Sequence, residues 1–482
     1  MLDENYEIII VGSGPAGLGV ASVIKNDAVL AQKTLILEKG KSIEERRCYV
    51  REGKSCRSCN TCNVISGLGG AGPYTDGKIC LFHSNLKSLI PKFELKDNDE
   101  KNNKIVDNYL NKVKAIWTTY SDDDIKIIKP KKDMVNSLKI KANNENISFN
   151  EYPVIHIGTD GASIILNNFI KDLKNYGIKI NSESNVINIK KKNEKFYLVI
   201  EYTKNLKCYR REVTCKYLVL ALGRDFQRSS NIHQLLSNIN IKFIPDNLEI
   251  GVRIEVDNHI MGDIIKTTYD PKFKIETSTY QDEVRTFCVC HKGKIVREGP
   301  YINGHTDKKS LTENTNFALM VGWPLQDLFW EDAMDYGYNI AKILLAQGKG
   351  RPIIQLLGDL KKGKTSTLES ISNNYIKPTI NCDLNVIPGN INNSYPRRLI
   401  IDILEGLEEL DKVISGVNED YNLIYAPEIK PNCVVNLKKG VKTDVLNLYV
   451  CGDFSGHTRG ISQAMAMGIM VGKDILNEYK YK

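Results

Sequence analysis

An α/β fold, carrying an inserted α+β region built on an antiparallel sheet, is predicted for this chain by three observations. A short apolar run rich in β-branched residues, Glu7 to Val11 (EIIIV), leads into GSGPAG, with Gly12, Gly14 and Gly17 in G-x-G-x-x-G spacing. A second strand-like run, KTLILEKG, ends at Glu38, 21 residues after Gly17. Far downstream, LYVCGD reads as a strand that stops at Gly452–Asp453, and RGISQAMAMGIMVGKDIL reads as a helix with Ala and Gly on one face.

Length and composition bound the answer. The 482 residues allow one large or two to three ordinary domains, and 42% hydrophobic with 26% charged residues is the profile of an ordinary globular protein. The net charge of +8, from 66 basic against 58 acidic residues, is spread along the chain, so the lysines read as solvated surface and no nucleic-acid partner is expected. No run reaches 18 apolar residues, so no membrane insertion is expected. The start, MLDENYEIII, lacks the basic and apolar regions of a secretory signal, and a cytoplasmic location is the expectation. The 12 cysteines then read as buried thiols plus one special cluster.

Each part of the first motif has a physical task. Gly12 permits the tight turn from strand to helix, Gly14 lets a pyrophosphate approach the backbone, and Gly17 lets helix and strand pack closely. Ser13, Pro15 and Ala16 complete the turn, and the free N–H groups at the helix start meet negative charge. Glu38, followed by Lys39, can accept from ribose hydroxyls, and an acid there disfavours a 2′-phosphate. Between two readable strands, this pattern predicts dinucleotide binding.

The distant C-terminal strand–Gly-Asp–loop–helix unit resembles the second half-site of flavoproteins of the glutathione-reductase-like superfamily. The resemblance implies FAD, with Asp453 (after Gly452) on the ribityl chain and Gly460 with Ile461 at the flavin carbonyl. A helix start there would stabilise an anionic reduced flavin. YLVLALGRDF (217–226) resembles the strand that returns the chain to the cofactor domain, ending at Gly223–Arg224, and Val186 would meet the adenine through its backbone. A discontinuous Rossmann-type FAD-binding domain follows, made of 1–95, 150–225 and 440–482, with boundaries good to several residues. Residues 96–149 read as a helical insertion and 226–439 as a substrate or cap domain.

Beyond the cofactor motifs the chain resembles the uncharacterised bacterial FAD-dependent dehydrogenases, also labelled NAD(P)/FAD-dependent oxidoreductases. The segments that carry this are GLGGAGPYTDGKICL (67–81), HIGTD (156–160), LEIGVRIEV (248–256), YDPKF (269–273), VRTFCVCHKGKIV (284–296), NGHT (303–306), TENTNFALMV (312–321), AQGKGRPIIQLLGDL (346–360) and GDFSGHTRGISQA (452–464). The match runs from Glu7 to Gly472 and is weakest over the Lys- and Asn-rich residues 83–150. Leu68 and Thr75 depart mildly from the pattern, where relatives commonly carry an aromatic residue and Ser.

Residues 56–78, CRSCNTCNVISGLGGAGPYTDGK, should then pass close to the flavin. Gly67, Gly69, Gly70 and Gly72 follow no nucleotide-type strand and read as backbone against the cofactor that supplies N–H donors. Cys56, Cys59 and Cys62 allow four readings: structural thiols, a redox dithiol, a zinc site completed by Cys48 or Cys80, or an iron–sulfur cluster. Arg46, Arg47, Arg51, Lys54 and Arg57 nearby favour thiolates under every functional reading, and no metal is assigned.

In the substrate region IGVRIEV, FKIETSTY and VRTFCVC predict an antiparallel sheet, whereas TNFALMVGWPLQDLFWEDAMDYGYNIAKILLAQG suggests helices. His457, Arg459, Arg253, Lys78 and His305 are candidates to face substrate. Cys288 and Cys290 alternate on one strand, so they are expected to face opposite sides. The expected activity is an FAD-dependent oxidoreductase that passes hydride through flavin N5 to or from a small-molecule substrate. No catalytic acid or base is assigned, and no second dinucleotide fingerprint appears, so NAD(P)H docking and a separate electron-donor protein both stay open. The alternatives are a flavin monooxygenase or halogenase, an isoprenoid double-bond reductase, and a non-catalytic redox sensor or RNA-associated flavoprotein.

Overall fold

The computed structural model describes residues 4–204, 207–223, 236–241, 243–323, 333–438 and 440–480. The chain forms a mixed α/β structure with two large sheets and two small ones.

The first large sheet has seven strands, five of them parallel. β1 (Glu4–Val11) lies at the centre, with β2 (Thr34–Leu37) on one side and the long return strand Lys207–Leu220 on the other. Lys179–Asn181 extends the sheet beyond β2, and Leu448–Val450 pairs with the end of the return strand. Ile8, Ile9 and Ile10 are all fully buried, as a parallel strand covered on both faces requires; a continuous apolar run, not an alternating one, is its signature. The first half of the return strand runs in an antiparallel meander with Lys195–Lys204 and Ser184–Lys192. One face is covered by α1 (Pro15–Ile24) and the helices Gly158–Asn175 and Ile461–Lys480.

The second large sheet has eight strands, in the order Ile387–Pro388, Ile353–Leu356, Leu423–Val435, Phe243–Asp257, Asn314–Trp323, Glu283–Cys290, Lys272–Glu276 and Ser148–Asn150. All its pairings but one are antiparallel. Helices Lys132–Asn144, Ala333–Gln347 and Arg397–Val413 share a core with it. Helix Asp99–Thr119, by contrast, buries Val106, Tyr109, Leu110, Val113 and Trp117 in the core of the first sheet.

The helical expectation is corrected over residues 315–323. Asn314–Trp323 is a strand between Phe243–Asp257 and Glu283–Cys290, with nine of its ten residues buried. An apolar run buried on both faces has no period to separate strand from helix. Ala333–Gln347 is helical as expected, and residues 324–332 of the quoted segment lie outside the described residues.

A small sheet of Lys78–Cys80, Val154–His156 and Ile127–Ile128 stands between the two large ones. The Lys78 ammonium donates to Val289 O on the second sheet, and Ser462 Oγ at the start of the C-terminal helix donates to Cys80 O at 2.7 Å. Among the described residues no helix is long and apolar enough to cross a membrane.

Candidate functional site

Three strand ends converge at the carboxyl edge of the parallel sheet. β1 ends at Val11 and turns at Gly12, the return strand ends at Leu220 before Gly223, and Leu448–Val450 runs into Gly452. Gly12 (φ +103°) is forced by this convergence, since a Cβ there would sit 2.3 Å from Ala221 O. The same holds for Gly17, whose Cβ would lie 2.1 Å from Gly12 O. At Gly14 and Gly223 the situation reverses. Among the described residues a Cβ on Gly14 would meet only Gly70 Cα, at 3.8 Å, and one on Gly223 nothing within 4 Å. The helix that starts at Pro15 has no side-chain cap and no acidic residue in its first turn, so no side chain of its own competes for the N–H groups that follow the proline. β1 and the return strand connect in opposite directions from this point, and such a switch point is where open α/β sheets bind ligands.

Glu38, at the end of β2, is buried and accepts four protein donors. Ser13 N and Ser13 Oγ reach Oε2 at 3.1 and 2.8 Å, and Gly40 N and Gly67 N reach Oε1 at 3.0 Å each. Its own carbonyl accepts from Ser184 N at 2.8 Å, so the strand that bears Val186 begins beside it. Val186 pairs with Ile200 next to a register shift. Lys39 follows Glu38, half-buried. The glycine loop folds over the first motif: Gly69 N donates to Ser13 O at 3.1 Å, and a Cβ on Gly70 (φ +60°) would meet Gly14 Cα at 2.8 Å. The loop's N–H groups at Gly67, Leu68, Gly69 and Gly70 all go to protein acceptors.

Gly452 (φ +82°) lies against the first helix, its Cβ position 2.9 Å from Ala16 Cβ. Asp453 opens a 3-10 turn and its carboxylate accepts from Gly460 N at 3.2 Å and Thr458 Oγ1 at 3.4 Å. Gly460 (φ +93°) has nothing within 4 Å of its Cβ position, and Ile461 starts the C-terminal helix. The structure thus brings Gly12, Ser13, Gly14, Pro15, Ala16, Gly17, Glu38, Gly69, Gly70, Gly223, Gly452 and Asp453 to one edge. Arg224 lies outside the described residues.

The cysteine loop is organised by a residue the sequence did not single out for this role. Arg46 is 5% exposed, and its guanidinium donates to Asn63 O, Val64 O, Leu68 O and Gly70 O at 2.7–2.9 Å. Burial holds its pKa down to about 10. Arg47 pairs with Glu52, and Arg57 lies over the Tyr49 ring, 3.7 Å from its centre. Cys56 and Cys62 are half-buried and Cys59 is exposed, and none of the three is in a disulfide. Among the described residues no three His, Cys, Asp or Glu side chains meet in a metal-holding group.

A second concentration of charge lies under the small sheet. Lys78 meets Asp76 at 3.0 Å and Asp270 at 3.5 Å, and all three are at most 8% exposed. Asp270 also accepts from Tyr152 Oη at 2.6 Å and Lys272 Nζ at 2.9 Å. Burial opposes the charge on Asp76 and Asp270, yet the lysines beside them hold both carboxyls well below the ordinary range. Tyr269 Oη bonds His156 Nδ1 at 2.8 Å. Further along, Arg285 and Arg459 both pair with Glu249, which burial would raise but these arginines bring to about 2. Of the five candidates for substrate, Arg459 is half-buried in this pair and Lys78 sits in the cluster above. Arg253 is fully buried on Asn316, His305 bonds Glu298 at 3.0 Å, and His457 Nε2 is 2.9 Å from Val435 O. Sequence reasoning missed Asp76, Asp270 and Glu249; each stands in a quoted segment (PYTDGK, YDPKF, LEIGV), but nothing local marks an acid as the partner of a distant lysine or arginine.

The expectation for Cys288 and Cys290 is also corrected. Cys288 has φ +51°, and the ladder to Asn314–Trp323 slips between Phe287 and Cys290. A bulge inserts one extra residue and re-aims the side chain. Cys290 Sγ donates to Cys288 O at 3.5 Å, and the two cysteines no longer take the opposite faces of a regular strand.

No family model matches the chain. An uncharacterized protein of Clostridium beijerinckii is 25% identical over 495 residues, covering 98% of this chain and 81% of its own length. A flavoprotein/dehydrogenase structure from Cytophaga hutchinsonii aligns at TM-score 0.39 and 11% identity, over 99% of this chain and 80% of its own. OxyS anhydrotetracycline hydroxylase from Streptomyces rimosus aligns at 0.37 and 11%, over 98% and 63%. Glycine oxidase from Geobacillus kaustophilus aligns at 0.39 and 9%, over 99% and 95%. Likeness at this level carries nothing about ligand or reaction.

Proposed function

We propose that the protein is an FAD-dependent oxidoreductase of the glutathione-reductase-like kind, acting on a small-molecule substrate. One observation carries the reading. The Gly12 turn and the Gly452 turn, 440 residues apart in sequence, abut at the switch point of a parallel sheet, with a helix starting just beyond each. The residues suit the group: an uncapped helix start and open space at Gly14, Gly223 and Gly460 leave room along one edge for an extended, doubly anionic molecule. Ser13 to Gly17 would hold the pyrophosphate and Asp453 the ribityl chain. Glu38 and the Val186 backbone would meet the adenosine end, with Gly460 and Ile461 at the other. A ribose diol at Glu38 would share its oxygens with Ser13 and Gly67. When bound, FAD supplies a two-electron carrier that takes or gives hydride at N5. The chain's own part is to orient that ring and to close it off with the second sheet. The FAD-binding pieces would be 1–95, 150–225 and 440–482, with 226–439 covering the substrate. NAD(P)H or a protein donor would provide electrons.

The test is stoichiometric FAD on the purified protein, followed by anaerobic reduction with NADH and NADPH. About one FAD per chain and bleaching by one nicotinamide are expected. Gly14→Asp separates binding from folding: its Cβ has room at φ −69°, and Asp is a good helix cap, so the cofactor-free variant keeps its melting temperature. A carboxylate facing the pyrophosphate should weaken FAD by about 2–4 kcal/mol. Colourless protein whose melting point FAD does not shift would overturn the reading.

A further inference from the structure

We propose that Cys288 and Cys290 form a redox-active dithiol, a site that closes to a disulfide within a Cys-Val-Cys segment by exchange with a low-molecular-weight disulfide. The proposal rests on these two residues and their neighbours and is independent of the cofactor. The bulge described above folds the two cysteines together: Cys290 Sγ donates to Cys288 O at 3.5 Å, and each thiol shifts the acidity of the other. They differ in access, since Cys288 is half-buried and Cys290 fully buried. Charged groups flank them: Arg253 Nη2 donates to Cys290 Sγ at 3.1 Å and to Cys288 O at 2.7 Å, the Lys78 ammonium stands at Val289 O, and the Asp270 carboxylate accepts from Val289 N at 3.0 Å. The neighbouring Cys290 thiol, and then Lys78, lower the Cys288 thiol against its burial and against Asp270; burial raises Cys290. A more accessible, more acidic thiol beside a buried partner, with an arginine and a lysine at hand, is the arrangement that makes one cysteine attack and the other resolve.

The exchange balances. The Cys288 thiolate attacks one sulfur of the small disulfide, forms a mixed disulfide and expels one thiolate. Cys290 gives its proton to that thiolate and attacks Cys288 Sγ, expelling a second thiolate, which takes its proton from water. Two electrons pass from the protein sulfurs to the small disulfide, which leaves as two thiols.

The full chain is equilibrated anaerobically in reduced and then oxidised glutathione, denatured in the presence of iodoacetamide, and cut with trypsin. Cleavage after Arg285 and Lys292 yields Thr286–Lys292, which holds these two cysteines and no other. The expected result is two alkyl groups on this peptide after the reduced buffer. After the oxidised buffer it should carry none and weigh two hydrogens less. Cys290→Ser should trap a glutathione adduct on Cys288 that dithiothreitol removes, and Cys288→Ser should give no adduct on Cys290. Full alkylation after the oxidised buffer overturns the proposal, as does a bond from either cysteine to Cys80. The wild-type measurement stands even if a variant fails to fold, and neither result bears on whether FAD binds.

Discussion

At the scale of one residue, Glu38 shows how a side chain assigned to a ligand also builds its own site. Its two oxygens take two donors each, Ser13 on one side and Gly40 with Gly67 on the other. Glu38→Gln keeps the shape but turns one oxygen into an amide that itself donates. Whichever way the amide faces, two buried donors lose their acceptor, at a cost on the order of 2–4 kcal/mol. Urea unfolding of cofactor-free Glu38→Gln should show that loss, and hydrogen exchange should rise at Gly67–Gly70. A loss below about 1 kcal/mol would mean the carboxylate is spent on ligand alone. Arg46 is the complementary case. Sequence alone offers it as one of several cations near thiols, and nothing local says that its guanidinium is planar enough, and buried enough, to tie four carbonyls of one loop together.

At the scale of elements, the contact between Pro15–Ile24 and Ile461–Lys480 joins the two ends of the chain. It is made by glycines: a Cβ on Gly19 would meet Met465 O at 2.4 Å, and one on Gly468 would meet Ala16 O at 2.0 Å. Because the obstacle is backbone, no rotamer relieves it. Gly468→Ala should force the helices apart, cost about 1–3 kcal/mol in chemical unfolding and weaken FAD, since Ala16 belongs to the first motif. Gly460→Ala tests the opposite case, an open site at positive φ, and should cost about 1 kcal/mol from backbone conformation alone. These two helices were legible in the sequence because Gly and Ala repeat at helical spacing beside a strand and a turn. Asn314–Trp323 was not, because full burial erases the period that tells strand from helix. The bulge at Cys288 was not, because no Gly or Pro announces it and the register of a neighbouring strand imposes it.

At the scale of the molecule, buried carboxyls fall into two groups that pull stability in opposite directions with pH. Asp76, Asp270 and Glu249 lie next to lysines or arginines and are depressed, Glu249 to about 2. Their contribution is present above the ordinary carboxylate pKa and is lost as pH falls through their folded values. Glu255 and Asp474 are raised by burial, and Asp402 is raised to about 7, by burial first and then by Asp282 beside it. A folded carboxyl that holds its proton while the unfolded one releases it makes stability fall as pH rises from about 4 to 7. Stability of the cofactor-free protein should therefore peak in mildly acidic solution and decline on both sides. Asp402→Asn isolates the upper arm. Asp402 has no exposure, Thr277 Oγ1 donates to its Oδ1 at 2.8 Å, and an amide keeps that acceptor while offering Asp282 a hydrogen. The variant should be on the order of 1–3 kcal/mol more stable than the wild type at about pH 8 and equal to it near pH 4. Urea unfolding at these two pH values decides it. A gain of the same size at both would mean that packing, and not the proton, separates Asn from Asp at this helix, and the division of the buried carboxyls into two opposed groups would fail with it.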